Sequence, residues 1–255
     1  MIQSIDINCD LGEGVGNDSA LMPWISSANI ACGCHAGDEE EIKKTLALCL
    51  QHGVAVGAHP SYPDRKNFGR TNMRLSSDEL FQIVTDQLHL IKNIAQAQGT
   101  VLHHVKPHGA LYNMAAKDAA IAHTLAQAVY QIDPHLIFYG LSQSVMIDEA
   151  QKLNLKIAHE VFADRTYQPD GSLTPRTQPN ALIADEQQAV HQAVILARQN
   201  EVTDVNGQTI SLRADTICLH GDGEHALAFA KLIHRGLTNE GIIIRPLGKQ
   251  KNIHR

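Results

Sequence analysis

Reactive side chains in this sequence gather where apolar runs stop. Ile5-Ile7 leads into Asn8, Asp10 and Glu13, Ala28-Ala31 into His35 and Asp38, Val54-Ala58 into His59, and Val101-Val105 into Lys106 and His108. Leu136-Tyr139 ends at Ser142. Ile157-Phe162 carries Glu160 and precedes Asp164 and Arg165, and Ile217-Leu219 ends in His220, Asp222 and Glu224. Strands of an α/β fold converge, so groups at their ends share one crevice although they lie far apart in the chain. Carboxylates, imidazoles, a lysine and arginines in one crevice can move protons and hold an anionic substrate. The pattern reads as an enzyme.

Each cluster has a functional and a plainer interpretation. Asp10 and Glu13 lie in Asp10-Leu11-Gly12-Glu13-Gly14, where glycines let the backbone bend around a bound group. The two carboxylates can bind a metal, act as acid and base, or orient a basic partner, or they simply make a polar loop. Cys32-Gly33-Cys34-His35 invites a zinc interpretation, but structural zinc needs a second ligand pair and none is present. The two cysteines read instead as small apolar residues. His35 and Asp38 are the better candidates there, although Asp38 is also placed to cap the next helix. His59-Pro60 closes a strand of small residues, Ala55, Gly57 and Ala58. His104 and His108 are four apart, but Pro107 opposes a helical two-histidine metal face. Lys106 can neutralise a carboxylate or phosphate, or pair with a structural acid, and His108 can transfer a proton.

Period-two alternation puts Glu160 and Phe162 on one strand face and Val161 and Ala163 on the other. A glutamate within such a strand must face the site or meet an internal cation. Arg165 and Arg176 are forks for a carboxylate or phosphate. His220-Gly221-Asp222-Gly223-Glu224 joins the seventh strand to a helix, whose free N–H groups can hold an anion, although the two carboxylates weaken a simple phosphate site. No Gly-x₄-Gly-Lys-Ser/Thr loop and no Gly-x-Ser-x-Gly elbow occurs, so any nucleotide chemistry points to another chain.

Helices must separate these strands. Apolar residues follow the helical period in Gly37-Gln51, from the Ser76/Glu79 capping box to Gly99, in Ala115-Ile132, in Val145-Leu153, in Asp185-Gln199, and from His225 to a stop at Gly236. Strand–helix alternation predicts parallel strands. The expected fold is α/β, an irregular, seven-stranded (β/α) barrel in a single domain spanning residues 1–255. Ile242-Arg245 is expected as a short eighth strand at a gap or distorted seam. Tyr62-Leu75 and Tyr167-Asn180 are too long for plain βα turns and belong on the active face as covers. Val202-Leu212 reads as a hairpin turning at Asn206-Gly207.

Composition limits the function classes. The chain has 255 residues and a net charge of −6, and its lysines and arginines are dispersed, which argues against a nucleic-acid binder. Only the tail Lys249-Gln250-Lys251 with Arg255 is locally basic, as a solvated terminus. The five cysteines form no disulfide framework and suggest reduced thiols. No signal-like start and no apolar run of the roughly 20 residues that span a membrane is present, so a cytoplasmic protein without membrane contact is expected.

Several longer strings resemble one family. They are Asp6-Ile7-Asn8-Cys9-Asp10-Leu11-Gly12-Glu13-Gly14, Asn29-Ile30-Ala31-Cys32-Gly33-Cys34-His35-Ala36-Gly37-Asp38 and Gly57-Ala58-His59-Pro60-Ser61-Tyr62-Pro63-Asp64. Val105-Lys106-Pro107-His108-Gly109-Ala110-Leu111-Tyr112-Asn113, Glu160-Val161-Phe162-Ala163-Asp164-Arg165 and His220-Gly221-Asp222 follow in order, and Gly69-Arg70 and Pro175-Arg176 also fit. Together they closely resemble the LamB/YcsF family, with Cys34 standing where the family commonly has Phe. The resemblance implies a barrel similar to polysaccharide deacetylases. It also implies ATP-dependent cleavage of 5-oxo-L-proline to L-glutamate, in concert with 5-oxoprolinase subunits B and C, with ATP bound by the partners. The site residues it implies are Asp10, Glu13, His59, Lys106, His108, Glu160 and His220 for catalysis. Asn8, His35, Asp38, Arg70, Asp164, Arg165, Arg176 and Asp222 are implied for substrate binding. In this scheme Lys106, Arg70 or Arg165 holds the substrate carboxylate or phosphate. Asp10, Glu160, His59 or His108 activates water, and His220 protonates the leaving nitrogen. Two alternatives stay open: a metal-dependent amide or acetyl hydrolase with Asp10, His35 and His59 as ligands, and a non-catalytic substrate-binding subunit. Whether a metal is bound, and whether the chain self-associates, are open at this level.

Overall fold

The computed structural model describes residues 3–219 and 226–248. Its strands are β1 (Ser4–Leu11), β2 (Ser27–Ala31), β3 (Ala55–His59), β4 (His104–Val105), β5 (Ile137–Leu141), β6 (Lys156–Phe162), the hairpin pair β7 (Glu201–Thr203) and β8 (Thr209–Ser211), β9 (Thr216–Leu219) and β10 (Ile243–Ile244). Seven of them form a parallel barrel in the order β1-β2-β3-β4-β5-β6-β9, closed by pairing of β9 with β1. The eighth barrel-level strand, β10, is short as expected and supports the seam. It pairs with Ser4 and Ile5 of β1, while β9 takes Asp6 to Cys9. β7 and β8 form the antiparallel hairpin expected around Asn206-Gly207.

The helices are α1 (Asp18–Leu21), α2 (Glu39–His52), α3 (Ser77–Ala97), α4 (Gly109–Ala115), α5 (Ala119–Ile132), α6 (Val145–Lys152), α7 (Glu186–Gln199) and α8 (Ala226–Asn239). The Ser76/Glu79 capping box at the start of α3 is formed as expected. Three expected boundaries move. The stretch from Ala115 splits, because Asp118 caps a new helix by accepting from the N–H groups of Ala120 and Ile121. The fourth strand begins only at His104, since Val101 is exposed. Helix α8 passes through Gly236 rather than stopping there. A Cβ on Gly236 would stand 2.4 Å from Val190 Cγ1, so this glycine permits close packing of α8 on α7.

Alternation along the strands sorts the core. Ile5, Ile7, Cys9 and Leu11 of β1, with Ile30, Val56, Val105, Phe138, Val161 and Ile217, face outward into one apolar cluster shared with the helices. The opposite face of the same strands fills the barrel with polar groups. At its base Asp6 accepts hydrogen bonds from the hydroxyls of Ser26, Ser27, Tyr139 and Thr216. Burial pushes the Asp6 carboxyl up despite those donors. Leu247 packs under this end against Ile137, Tyr139 and Ala158. Among the described residues, no helix is long and apolar enough to cross a membrane, and all five cysteines are free thiols.

Candidate active site

The middle layer of the barrel is a web of amides. Register places Asp10 beside Asn29, Gly57 beside His104, and Glu160 beside Thr216. Asn8 Nδ2 donates to Glu160 Oε1 at 3.0 Å, and Asn29 Nδ2 donates to Asp10 Oδ1 at 2.8 Å and to Asn8 Oδ1 at 2.7 Å. His104 Nε2 lies 2.8 Å from Asn29 Oδ1. This layer holds two carboxylates in place for the cation above them.

That cation is Lys106, at the C-terminal end of β4. Its Nζ lies 2.9 Å from Asp10 Oδ1, 3.0 Å from Glu160 Oε1, 3.0 Å from Cys218 Sγ and 3.3 Å from Asn8 Oδ1. Burial works against its charge, yet Asp10, Cys218 and Glu160 more than offset this and hold the ammonium well above the ordinary lysine value. Glu160 is fully buried and meets an internal cation, one of the two outcomes expected for a glutamate in this strand.

Three imidazoles stand beside this pair. His59 Nε2 is 3.3 Å from Asp10 Oδ2 and 3.0 Å from His108 Nδ1. His35 stacks on His108 with ring centroids 3.9 Å apart, and its Nε2 lies 3.2 Å from Glu13 Oε1. Burial, with neighbouring His59 second, pushes His108 down to about 3, and burial pushes His35 down as well, so both rings are neutral at pH 7. The ligand atoms of Glu13, His35, His59 and His108 all lie within 4.8 Å of one another, close enough to share one cation. Glu13 completes this set; Asp10 lies outside it, with Oδ1 engaged by Lys106 and Asn29 and Oδ2 3.3 Å from His59 Nε2.

A cavity of about 220 Å³ opens over these groups. It is smaller than the roughly 300–1,000 Å³ of pockets that take drug-sized ligands, and so suits a small metabolite. Asp10, Glu13, His59, Lys106 and His108 line its base. Both long excursions reach its rim. The first supplies Arg70, and Phe68 O accepts from His108 Nε2 at 2.9 Å. The second supplies Leu173 and Arg176. Arg165 also borders the cavity, but its Nε and Nη2 donate to the carbonyls of Ala181 and Thr174, so it ties the second excursion to the barrel.

The predicted residues thus fall into groups. Asp10, Glu13, His59, Lys106, His108, Arg70, Arg165 and Arg176 share the cavity wall. Asn8, Glu160 and His35 are buried directly behind it. Asp164, next to the wall residue Arg165, is not among the lining residues. Asp38 is exposed and caps α2 by accepting from Glu41 N at 2.9 Å, so the plainer interpretation holds for it. His220 and Asp222 lie outside the described residues, as does the tail from Lys249. Residue-type reasoning missed Asn29, His104, Tyr112, Phe162 and Cys218. For Asn29 and Cys218 a signal was available, since period-two alternation puts them on the strand face opposite Ile30 and Ile217.

The family model described as LamB/YcsF family matches residues 5–252. The chain is 49% identical over 98% of its length, and 99% of the relative's, to the A subunit of 5-oxoprolinase from Geobacillus thermodenitrificans. Among solved structures it superposes on the lactam utilization protein from Thermus thermophilus with a TM-score of 0.90 and 38% identity, over 95% of this chain and 99% of that one. A likeness to the T48 deacetylase at TM-score 0.53 and 13% identity, covering 95% and 87% of the two chains, extends to the fold alone. By sequence and by structure over nearly its whole length, the chain belongs to the LamB/YcsF family.

Proposed function

We infer that this chain is the A subunit of an ATP-dependent 5-oxoprolinase, a hydrolase that opens the cyclic amide of 5-oxo-L-proline to give L-glutamate. The observation that carries it is a small cavity whose base joins a buried Lys106–Asp10–Glu160 ion cluster to three imidazoles, in a chain 49% identical to the A subunit of a 5-oxoprolinase. Subunits B and C would bind ATP and activate the lactam carbonyl, and this chain, in the cytoplasm, would open the activated ring. That division is supported by the lack of a Gly-x₄-Gly-Lys-Ser/Thr loop in the sequence.

An unactivated lactam resists water. The residues here are arranged to assist its opening once the carbonyl oxygen carries a better leaving group. Arg70 and Arg176 at the rim are suited to the substrate carboxylate or a phosphoryl group. Lys106 is saturated by its carboxylates, so its role is to fix Asp10 rather than to clasp the substrate directly. Asp10 lines the cavity with Oδ1 anchored and Oδ2 beside His59, which suits it to take a proton from water. Glu160 is too deeply buried for that task. His35 and His108 are held neutral, so protonation of the leaving nitrogen is assigned to His220. A divalent cation on Glu13, His35, His59 and His108 would supply carbonyl polarisation.

The test is reconstitution of the chain with both partner subunits, following ATP consumption and glutamate release. Lys106→Ala and His108→Ala should each cut glutamate formation by at least about 100-fold, within the range for acid–base groups, while circular dichroism stays native. Near-normal turnover in both variants would sink the assignment.

A further inference from the structure

Among the described residues, the proton inventory of the imidazole cluster does not close. His59 Nδ1 lies 2.7 Å from the carbonyl oxygen of Lys106, and His108 Nε2 lies 2.9 Å from that of Phe68. A carbonyl can only accept, so both of these nitrogens carry the hydrogen. The remaining nitrogens, His59 Nε2 and His108 Nδ1, then oppose each other lone pair to lone pair at 3.0 Å. The third ring repeats the pattern. Ser61 donates its hydroxyl hydrogen to Tyr62 O at 3.0 Å, which leaves its oxygen to accept from His35 Nδ1 at 2.9 Å. His35 Nε2 therefore presents its lone pair to Glu13 Oε1, which also stands 3.5 Å from His108 Nδ1. Lys106 cannot relieve this, because it is spent on Asp10 and Glu160.

We propose that Glu13, His35, His59 and His108 are the ligands of one divalent transition-metal ion of the zinc class. Donors each about 2.1 Å from a tetrahedral ion stand roughly 3.4 Å apart. The contacts of 3.0, 3.2 and 3.5 Å seen here sit at that spacing. Three neutral imidazoles and one carboxylate favour zinc, iron, cobalt or nickel over magnesium or calcium, which prefer oxygen. The outward N–H groups are held by Lys106 O, Phe68 O and Ser61 Oγ, the kind of partner that orients a metal-bound histidine. The rival is a proton on His59. It satisfies the His59–His108 contact and the 3.3 Å contact of His59 Nε2 with Asp10 Oδ2, and leaves His35 and Glu13 opposed.

The experiment strips the full-length chain of metal and titrates it with Co²⁺, reading visible d–d absorption, then with Zn²⁺ by calorimetry. The wild type should bind one ion per chain with micromolar or tighter affinity. His59→Ala and His108→Ala should each weaken binding by at least about 100-fold, and Ser61→Ala by roughly tenfold. Asp38→Ala, at a helix cap on the surface, should bind as the wild type. No uptake by folded wild type at millimolar metal overturns the proposal and leaves the protonated His59. Wild-type binding by both histidine variants overturns it equally. If a histidine variant fails to fold, wild-type stoichiometry and Ser61→Ala decide. Binding is read without the reaction, so failure here and failure of the ring-opening assignment are distinguishable.

Discussion

Replacing Lys106 by methionine tests the charge balance at the centre of the barrel. Methionine keeps most of the side chain's length and removes its charge, stranding Asp10 Oδ1 at 2.9 Å and Glu160 Oε1 at 3.0 Å from the lost nitrogen. Glu160 is fully buried and Asp10 is little exposed, so solvent cannot replace the ammonium. Deleting one partner of a buried ion pair costs about 3–5 kcal/mol, against about 0–1 kcal/mol for a surface pair. That is a large part of the roughly 5–15 kcal/mol that holds a domain together, so the variant should fold but with Tm lowered by roughly 10 °C. Adding Glu160→Gln removes one stranded charge and should return about 1–3 kcal/mol relative to the single variant. Urea unfolding, followed by circular dichroism and by the fluorescence of the single tryptophan, Trp24, reads both numbers. A single variant within about 1 kcal/mol of wild type, or a double variant no more stable than the single, would refute the reasoning.

Two further outcomes follow from the barrel interior. Gly57→Ala puts a Cβ 2.1 Å from His104 Nε2, and that ring, stacked on Tyr139 at 4.2 Å, cannot retreat. Thermal unfolding should show a loss of about 1–3 kcal/mol, and an unchanged Tm would mean the interior yields more easily than its packing implies. His104 also sets a pH dependence. Burial first, and the His103 and Lys106 charges next, hold it well below 6.5. The unfolded chain therefore binds more protons below pH 6.5, so this contribution is intact above that value and is lost as pH falls through the window beneath it. The slope should approach 1.4 kcal/mol per pH unit, and urea midpoints at about pH 7 and pH 5 should converge in His104→Gln.

Much of the fold was legible because apolar runs and the helical period were clean. Apolar runs ending in polar clusters marked the barrel strands, helical spacing marked most of the segments between them, and Ser76 with Glu79 announced its helix directly. Errors arose where tertiary contact overrode a local signal. Gly236 reads as a helix stop, yet it lies inside α8 because Val190 leaves no room for a side chain. Asp38 reads as a ligand or a cap, and only its exposure decided for the cap.

By itself the sequence determined that carboxylates, imidazoles and a lysine end on one face, since strand alternation and strand ends are local properties of the chain. Which groups touch was decided only by barrel closure. Sequence spacing cannot say that Lys106 meets Asp10 and Glu160 while Glu13 joins the three histidines, because those contacts depend on strand order and register between β1, β3, β4 and β6. The same closure buries the lysine and neutralises the His35 and His108 rings, as withdrawal from water sets the protonation state of each of these groups according to its neighbours.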